Sequence, residues 1–243
     1  MIRGLYSAAS GMLSTIHAQE IITNNIANVN TPGFKRDIPV YESFSNILQR
    51  QINRDTRQTR VQSTFIDLSE GKLTFTGNTF DFALEGKGFF ALSTPQGIAY
   101  TRSGNFSLDR QGRLVTPKGF ILLGENGPIT ISVNNISKLK FNKKGEVIID
   151  GKVVDQIRVD VVRRSSLYKE GENLFRISQP VGVNRANNIS VKVGYLETSN
   201  VDIISEMVSL INNFRMYEAN QRLIQLQDST LDKACNETGR ITR

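Results

Sequence analysis

The chain has 243 residues, 39% of them apolar, and a formal net charge of +7. That length supports a sizeable core or two modest modules, and no run approaches the ~18 apolar residues that a membrane-spanning helix needs. One histidine (His17) and one cysteine (Cys235) exclude an internal disulfide and argue against His-based metal or Ser-His-Asp chemistry.

Residues 2–29 read as one helix. Its seven-residue lattice Leu5, Met12, Gln19, Ile26 runs beside Ala8, Thr15, Ile22, Val29. Such a lattice buries a narrow seam against another helix. Gly4 and Gly11 each cost roughly 1 kcal/mol relative to Ala inside a helix, so this one depends on packing. Asn24 and Asn28 share a face one turn apart; their amides either bond across a helix contact or meet water. Thr31-Pro32-Gly33 then stops the helix. The segment lacks the basic-then-apolar layout of a cleavable signal peptide.

Tyr41, Phe44, Leu48 and Ile52 repeat at helical spacing and predict a short second helix. The stretch from Arg54 to Ser63 is polar, without periodicity, and reads as a linker. The cluster Arg50, Arg54, Arg57, Arg60 has no interleaved aromatics and reads as a solvated, flexible face, with an ionic contact to a partner subunit as the next reading.

From Gly71 the period changes to two. Leu73-Phe75 and Phe80-Phe82-Leu84 alternate with polar residues, and Phe89 to Leu92 reads as a buried strand. Leu108-Asp109-Arg110-Gln111-Gly112-Arg113-Leu114-Val115 predicts a hairpin, and Phe141 to Ile148 echoes its outline: polar turn, glycine, apolar strand. Further strands are expected around Ile157–Val162 and Leu174–Ile177. Gly86-Lys87-Gly88 lacks the spacing of a phosphate loop and marks a turn. The pairs Glu85/Asp81 and Asp155/Asp160 read as surface carboxylates with no acid–base pattern around them. No catalytic, metal or cofactor-binding residue is expected.

Ser199 is expected to cap the last helix, with Asp202 three places on. Its apolar positions are Ile203, Met207, Leu210, Phe214, Tyr217, Ile224 and Leu231, interrupted by Gln221 and Asp228. The expected fold class is α+β: long N- and C-terminal helices of coiled-coil type packed together, with a central antiparallel β-rich domain. The expected divisions are 1–36 (helix and turn motif), 37–70 (short helix and linker), 71–197 (β domain) and 198–243 (last helix, pairing with 1–36). Cys235 is expected to be partly buried. Two seams at opposite ends of one chain point to assembly rather than catalysis.

Four runs resemble the axial proteins of the bacterial flagellum, the rod and hook family. They are Asn24-Asn25-Ile26-Ala27-Asn28-Val29-Asn30-Thr31-Pro32-Gly33-Phe34-Lys35-Arg36; Thr76-Gly77-Asn78 with Asp81 to Phe90; Tyr100 to Phe106 with Asp109, Gly112 and Leu114-Val115; and Gly194 to Val201. The resemblance implies a structural, non-enzymatic rod subunit. Asn24, Asn25, Asn28, Thr31, Pro32, Gly33 and Phe34 would form its turn motif. Leu5, Met12, Ile22, Ile26, Val29 and the apolar positions of the last helix would form its assembly seam. It implies export through the flagellar type III apparatus without a cleaved signal, and helical polymerisation with the terminal helices lining the inner tube. Partners would be copies of itself and other axial proteins, with no nucleic acid and no membrane insertion. The interval from Arg36 to Gly71 is shorter than the distal-rod pattern, which favours a proximal-rod position. A hook-type axial protein and a basic nucleic-acid-binding protein are the alternatives.

Overall fold

The computed structural model describes residues 2–40, 64–131, 139–178, 184–185 and 190–238. The expected helix on Tyr41, Phe44, Leu48 and Ile52, the polar stretch 54–63 and the cluster Arg50, Arg54, Arg57, Arg60 lie outside the described residues. The chain divides into two units. One comprises Met1–Ala27, Asp37–Asp67 and Asp202–Arg243, the other Asn28–Arg36 and Leu68–Val201.

The first unit is built on α1 (Ile2–Ala27) and α2 (Ile203–Thr238), which pack on each other. Along α1 the buried side chains are Ala8, Thr15, Ala18, Ile22 and Asn25. Most are small, which lets the helices approach closely. Gly11 extends this row: a Cβ there would lie 3.0 Å from the Asn220 amide nitrogen. The glycine that weakens the isolated helix therefore gives the Asn220 side chain room in the packed pair. Along α2 from Glu206 to Leu231, every position that is not exposed falls at alternating steps of four and three: Glu206, Leu210, Asn213, Tyr217, Asn220, Ile224, Gln227, Leu231.

This overturns the expected fold class. The described residues hold two α-helices and a large antiparallel β region, without an apolar seam of coiled-coil type. Ile203, Met207 and Phe214, expected in that seam, are 39%, 48% and 52% exposed. The places of Met207 and Phe214 are taken by Glu206 and Asn213, one residue earlier in each case, and Asn220 faces inward one residue before Gln221. Apolar periodicity reports that a stripe exists; it does not report which neighbour the stripe faces. The start of α2 also differs from expectation. Asp202, not Ser199, caps it: Asp202 Oδ1 accepts from the Ile204 N–H at 3.0 Å, and its carbonyl accepts from Glu206 N. Ser199 Oγ instead accepts from Val201 N in the turn before the helix. Cys235 is exposed rather than partly buried.

The second unit is an antiparallel β structure centred on the strand Phe89–Thr94. One edge of that strand pairs with Gly97–Thr101, which leads outward through Leu174–Ile177 to Leu167–Gly171. Its other edge is shared: Val159–Val161 pairs at Phe89 and Phe90, while Ile121–Leu122 pairs at Leu92 and Ser93. Phe82, Phe90, Leu92, Leu114, Leu122 and Ile131 are at the core. The Phe106 ring meets Phe90 edge-on, with centroids 5.5 Å apart.

The two hairpins expected to echo each other do so in geometry. In the first, Asp109 Oδ1 accepts from Gln111 N and Arg113 N. In the second, Asn142 Oδ1 accepts from Lys144 N and Glu146 N. Gly112 and Gly145 both have φ of +75°. Their carbonyls both accept from the N–H of an isoleucine, Ile131 and Ile157. The acceptor at the first position and the glycine at the fourth are the sequence signals of this turn.

Candidate functional site: an outward apolar helix face and a buried charge cluster

In the helix pair, two polar contacts are buried. Asn213 donates its side-chain amide to the Thr15 carbonyl at 2.7 Å, and Asn25 reaches Glu206 Oε2 at 3.4 Å. Asn25 also donates to the Asp37 carbonyl at 2.8 Å and accepts from Asp37 N at 3.0 Å. Its amide thus reads the backbone of Asp37 as a neighbouring strand would, and Asp37–Ile38 pairs with Phe65–Ile66. On the outer side of α2, Ile204, Met207, Val208, Ile211, Phe214 and Leu226 are exposed. The helix is inverted: polar groups point to its own partner and apolar groups point out. Large exposed apolar faces mark contact surfaces.

The expected seam residues divide accordingly. Ile22 is buried; Met12, Ile26, Val29, Leu210, Tyr217, Ile224 and Leu231 are partly buried; Ile203, Met207 and Phe214 are exposed. The side chain of Leu5 lies outside the described ones. Of the turn-motif asparagines, Asn24 is exposed, Asn25 is wholly buried and Asn28 Oδ1 accepts from the Thr31 hydroxyl at 3.1 Å.

The second unit contains a buried charge cluster that no periodicity revealed. Glu197 takes the Lys35 ammonium on Oε1 at 2.6 Å and Arg102 Nε on Oε2 at 2.5 Å, with all three side chains no more than 3% exposed. Lys35 also donates to the Ser69 carbonyl at 2.6 Å. Arg102 donates onward to the carbonyls of Leu84, Gly86 and Gly88. The N–H of Gly71 donates to Glu197 Oε1 at 2.8 Å, and that of Gly33 to the Glu197 carbonyl at 2.7 Å. Burial pushes the Lys35 ammonium below the ordinary lysine range, against the pull of Glu197. Each of the four resembling runs contributes: Lys35 and Gly33, the carbonyls of residues 84–88, Arg102, and Glu197. The charges could be read in the sequence, each within its run. Their convergence could not, because 162 positions separate Lys35 from Glu197.

The turn around this cluster is tightly held. Gly33 has φ of +68°, and a Cβ there would lie 2.4 Å from the Arg102 backbone. The Pro32 carbonyl accepts from Asn173 at 2.8 Å. Lys169 Nζ sits 4.3 Å from the centre of the buried Phe34 ring and donates to the Lys35 carbonyl. Two of the four carboxylates expected at the surface are buried instead. Asp81 accepts from Thr76 Oγ1 at 2.7 Å and Asn78 Nδ2 at 3.1 Å, while Asp160 pairs with Arg158. Their buried hydrogen-bonding roles explain why such residues stay paired inside a fold. Among the described residues no group of acidic, His or Cys side chains is arranged to hold a metal ion.

One unit thus carries an apolar outer helix face, and in the other the buried charges are spent on one another and on backbone groups. Comparison with known proteins gives the family. Residues 5–35 match the description "Flagella basal body rod protein", residues 83–149 "Flagellar hook protein FlgE/F/G D1 domain", and residues 192–237 "Flagellar basal body rod FlgEFG protein C-terminal". The chain is 33% identical over 264 residues to flagellar basal-body rod protein FlgG of Bacillus subtilis, covering 97% of this chain and 99% of that one. It is 33% identical over 267 residues to FlgG of Borreliella burgdorferi, covering 97% and 98%. It is 30% identical over 247 residues to flagellar basal-body rod protein FlgF of Rhizobium meliloti, covering 98% and 99%. The chain belongs to the flagellar basal-body rod protein family, and its role is structural and non-enzymatic.

Proposed function

We propose that this chain polymerises helically with copies of itself and with other flagellar axial proteins, in the proximal rather than the distal part of the rod. The observation that carries the polymerisation reading is the outward apolar face of α2, where Met207 and Phe214 are about half exposed. Neighbouring subunits would cover that face, and burying such side chains contributes roughly 1.5–3 kcal/mol each. In this reading the other expected seam residues, Leu5, Met12, Ile22, Ile26, Val29, Leu210, Tyr217, Ile224 and Leu231, belong to the terminal segments that carry this face, and Ile22, Leu210, Tyr217, Ile224 and Leu231 act by joining the two helices rather than by touching a neighbour. Residues 1–36, 37–70, 71–197 and 198–243 are the working divisions in this reading.

The proximal position is supported by length. The interval between Arg36 and Gly71 is shorter than the distal-rod pattern that the resemblance implies. The reading includes export through the flagellar type III apparatus without a cleaved signal, and no role for nucleic acid or membrane insertion.

The test is Phe214→Asp in the full chain, in cells that also carry a tagged copy. The variant should fold as the parent does yet fail to enter basal bodies, and motility should be lost. Normal incorporation would refute the apolar face as the assembly surface. Electron microscopy of basal bodies holding the tagged parent locates the subunit; label at the hook-proximal end would refute the proximal placement.

A further inference from the structure

The polar residues facing α1 recur every seven positions: Glu206, Asn213, Asn220, and next Gln227. Three of them meet a defined partner on α1. Glu206 meets Asn25, Asn213 meets the Thr15 carbonyl, and the Asn220 amide fills the space left open by Gly11. Between them stand Leu210, Tyr217, Ile224 and Leu231, which any neighbouring helix would accept.

The same helix carries a second stripe. Ile203, Met207 and Phe214 also alternate with Leu210, Tyr217 and Ile224, one residue after the polar set. Since successive residues are separated by about 100° around a helix, a rotation of about 50° exchanges one stripe for the other. The rotated pair would bury more apolar surface and fewer polar groups. Hydrophobic burial alone therefore favours the arrangement that is not observed. Something must hold α2 in the other one.

We infer that the rungs Asn25–Glu206, Thr15–Asn213 and Gly11–Asn220 are the register key of the helix pair, fixing both the axial alignment and the rotation of α2 on α1. A directional hydrogen bond is satisfied at one alignment only. Slipping α2 by a turn, or rotating it, separates Asn213 from the Thr15 carbonyl and leaves the amide buried without a partner. It also drives the Asn220 side chain away from Gly11, where α1 lacks a Cβ. Polar residues at a helix interface specify alignment in this way, at the expense of stability. The key has a second effect: it keeps Met207 and Phe214 on the outside. That effect is a property of the lone chain and holds whether or not the chain polymerises as proposed above.

Hydroxyl-radical footprinting of the full-length monomer reads this directly, because Met207 and Phe214 are both reactive side chains. Two variants are compared with the parent: the triple Glu206→Ala/Asn213→Ala/Asn220→Ala, which removes the polar groups without building a new apolar stripe, and Asn213→Ala alone. With the key removed, labelling of Met207 and Phe214 should fall several-fold in the triple variant and by a smaller factor in the single one, with helical content retained. Unchanged labelling at both residues in a helical triple variant would overturn the inference. Should the triple variant lose its helices, the single variant decides: reduced labelling supports the key, and unchanged labelling with unchanged helicity refutes it. Failure of Phe214→Asp to disturb assembly bears only on polymerisation and leaves this result standing.

Discussion

Glu197 receives the ammonium of Lys35 at 2.6 Å, although 162 sequence positions separate the two. Both side chains are almost entirely buried. The pair fastens the turn after the first helix to the strand Tyr195–Glu197 that precedes the last one. Buried ion pairs repay their desolvation only when their geometry is complete, and here Arg102, Ser69 and Gly71 complete it.

Removing the carboxylate should therefore be severe. Glu197→Gln leaves Lys35 and Arg102 buried without a counter-charge, at an expected loss of about 3–5 kcal/mol. Urea denaturation of the full chain measures it. The triple change Lys35→Met/Glu197→Gln/Arg102→Met should lose much less than the three single changes added together, because it strands no charge. Additive losses would show that the three groups act independently.

The depressed Lys35 gives a pH signature. The unfolded chain keeps the lysine proton up to its ordinary value of 10.5, while burial makes the folded chain release it earlier. Between those values the unfolded state binds more protons, so this group's contribution to stability rises with pH across that window. Below the folded value the burial penalty is fully present. Relative to a Lys35→Met variant, the parent should gain stability as pH climbs toward 10.5. A constant difference between the two denaturation midpoints would count against the burial of the charged amine.

Gly33→Ala should disrupt the same region by another route. The left-handed φ alone costs an ordinary residue about 1–3 kcal/mol, and the collision with the Arg102 backbone adds overpacking strain of similar size. The expected result is a thermal transition many degrees below that of the parent, followed by circular dichroism. An unchanged transition would mean the turn can relax elsewhere.

Asp202→Ala tests the start of α2. Loss of the cap on Ile204 N should lower stability by about 0.5–2 kcal/mol, whereas Ser199→Ala should leave the helix start intact. Amide exchange at residues 203–206 separates the two, with faster exchange expected only in the Asp202 variant.

The echoing hairpins were legible because their signals are local. An Asp or Asn acceptor, a glycine three residues on and flanking apolar residues lie within eight positions. The helical reading of both ends was legible for the same reason. The apolar stripe on Ile203, Met207 and Phe214 was legible as a stripe, but its partner was not. Periodicity weighs each side chain by polarity, and by that measure Asn213 and Glu206 belonged outside. They are inside because Thr15 and Asn25 wait for them on a helix nearly two hundred positions earlier, and sequence distance carries no record of that.

By itself, then, the order of residues determined where helix yields to strand, where turns fall and which family the chain resembles, since each depends on neighbours a few positions apart. Only the folded chain decided which faces are buried, that Lys35, Arg102 and Glu197 share one site, and that α2 turns its apolar side outward. Those outcomes depend on groups brought together from opposite ends of the chain, where burial and hydrogen-bond geometry, rather than local preference, select the partner.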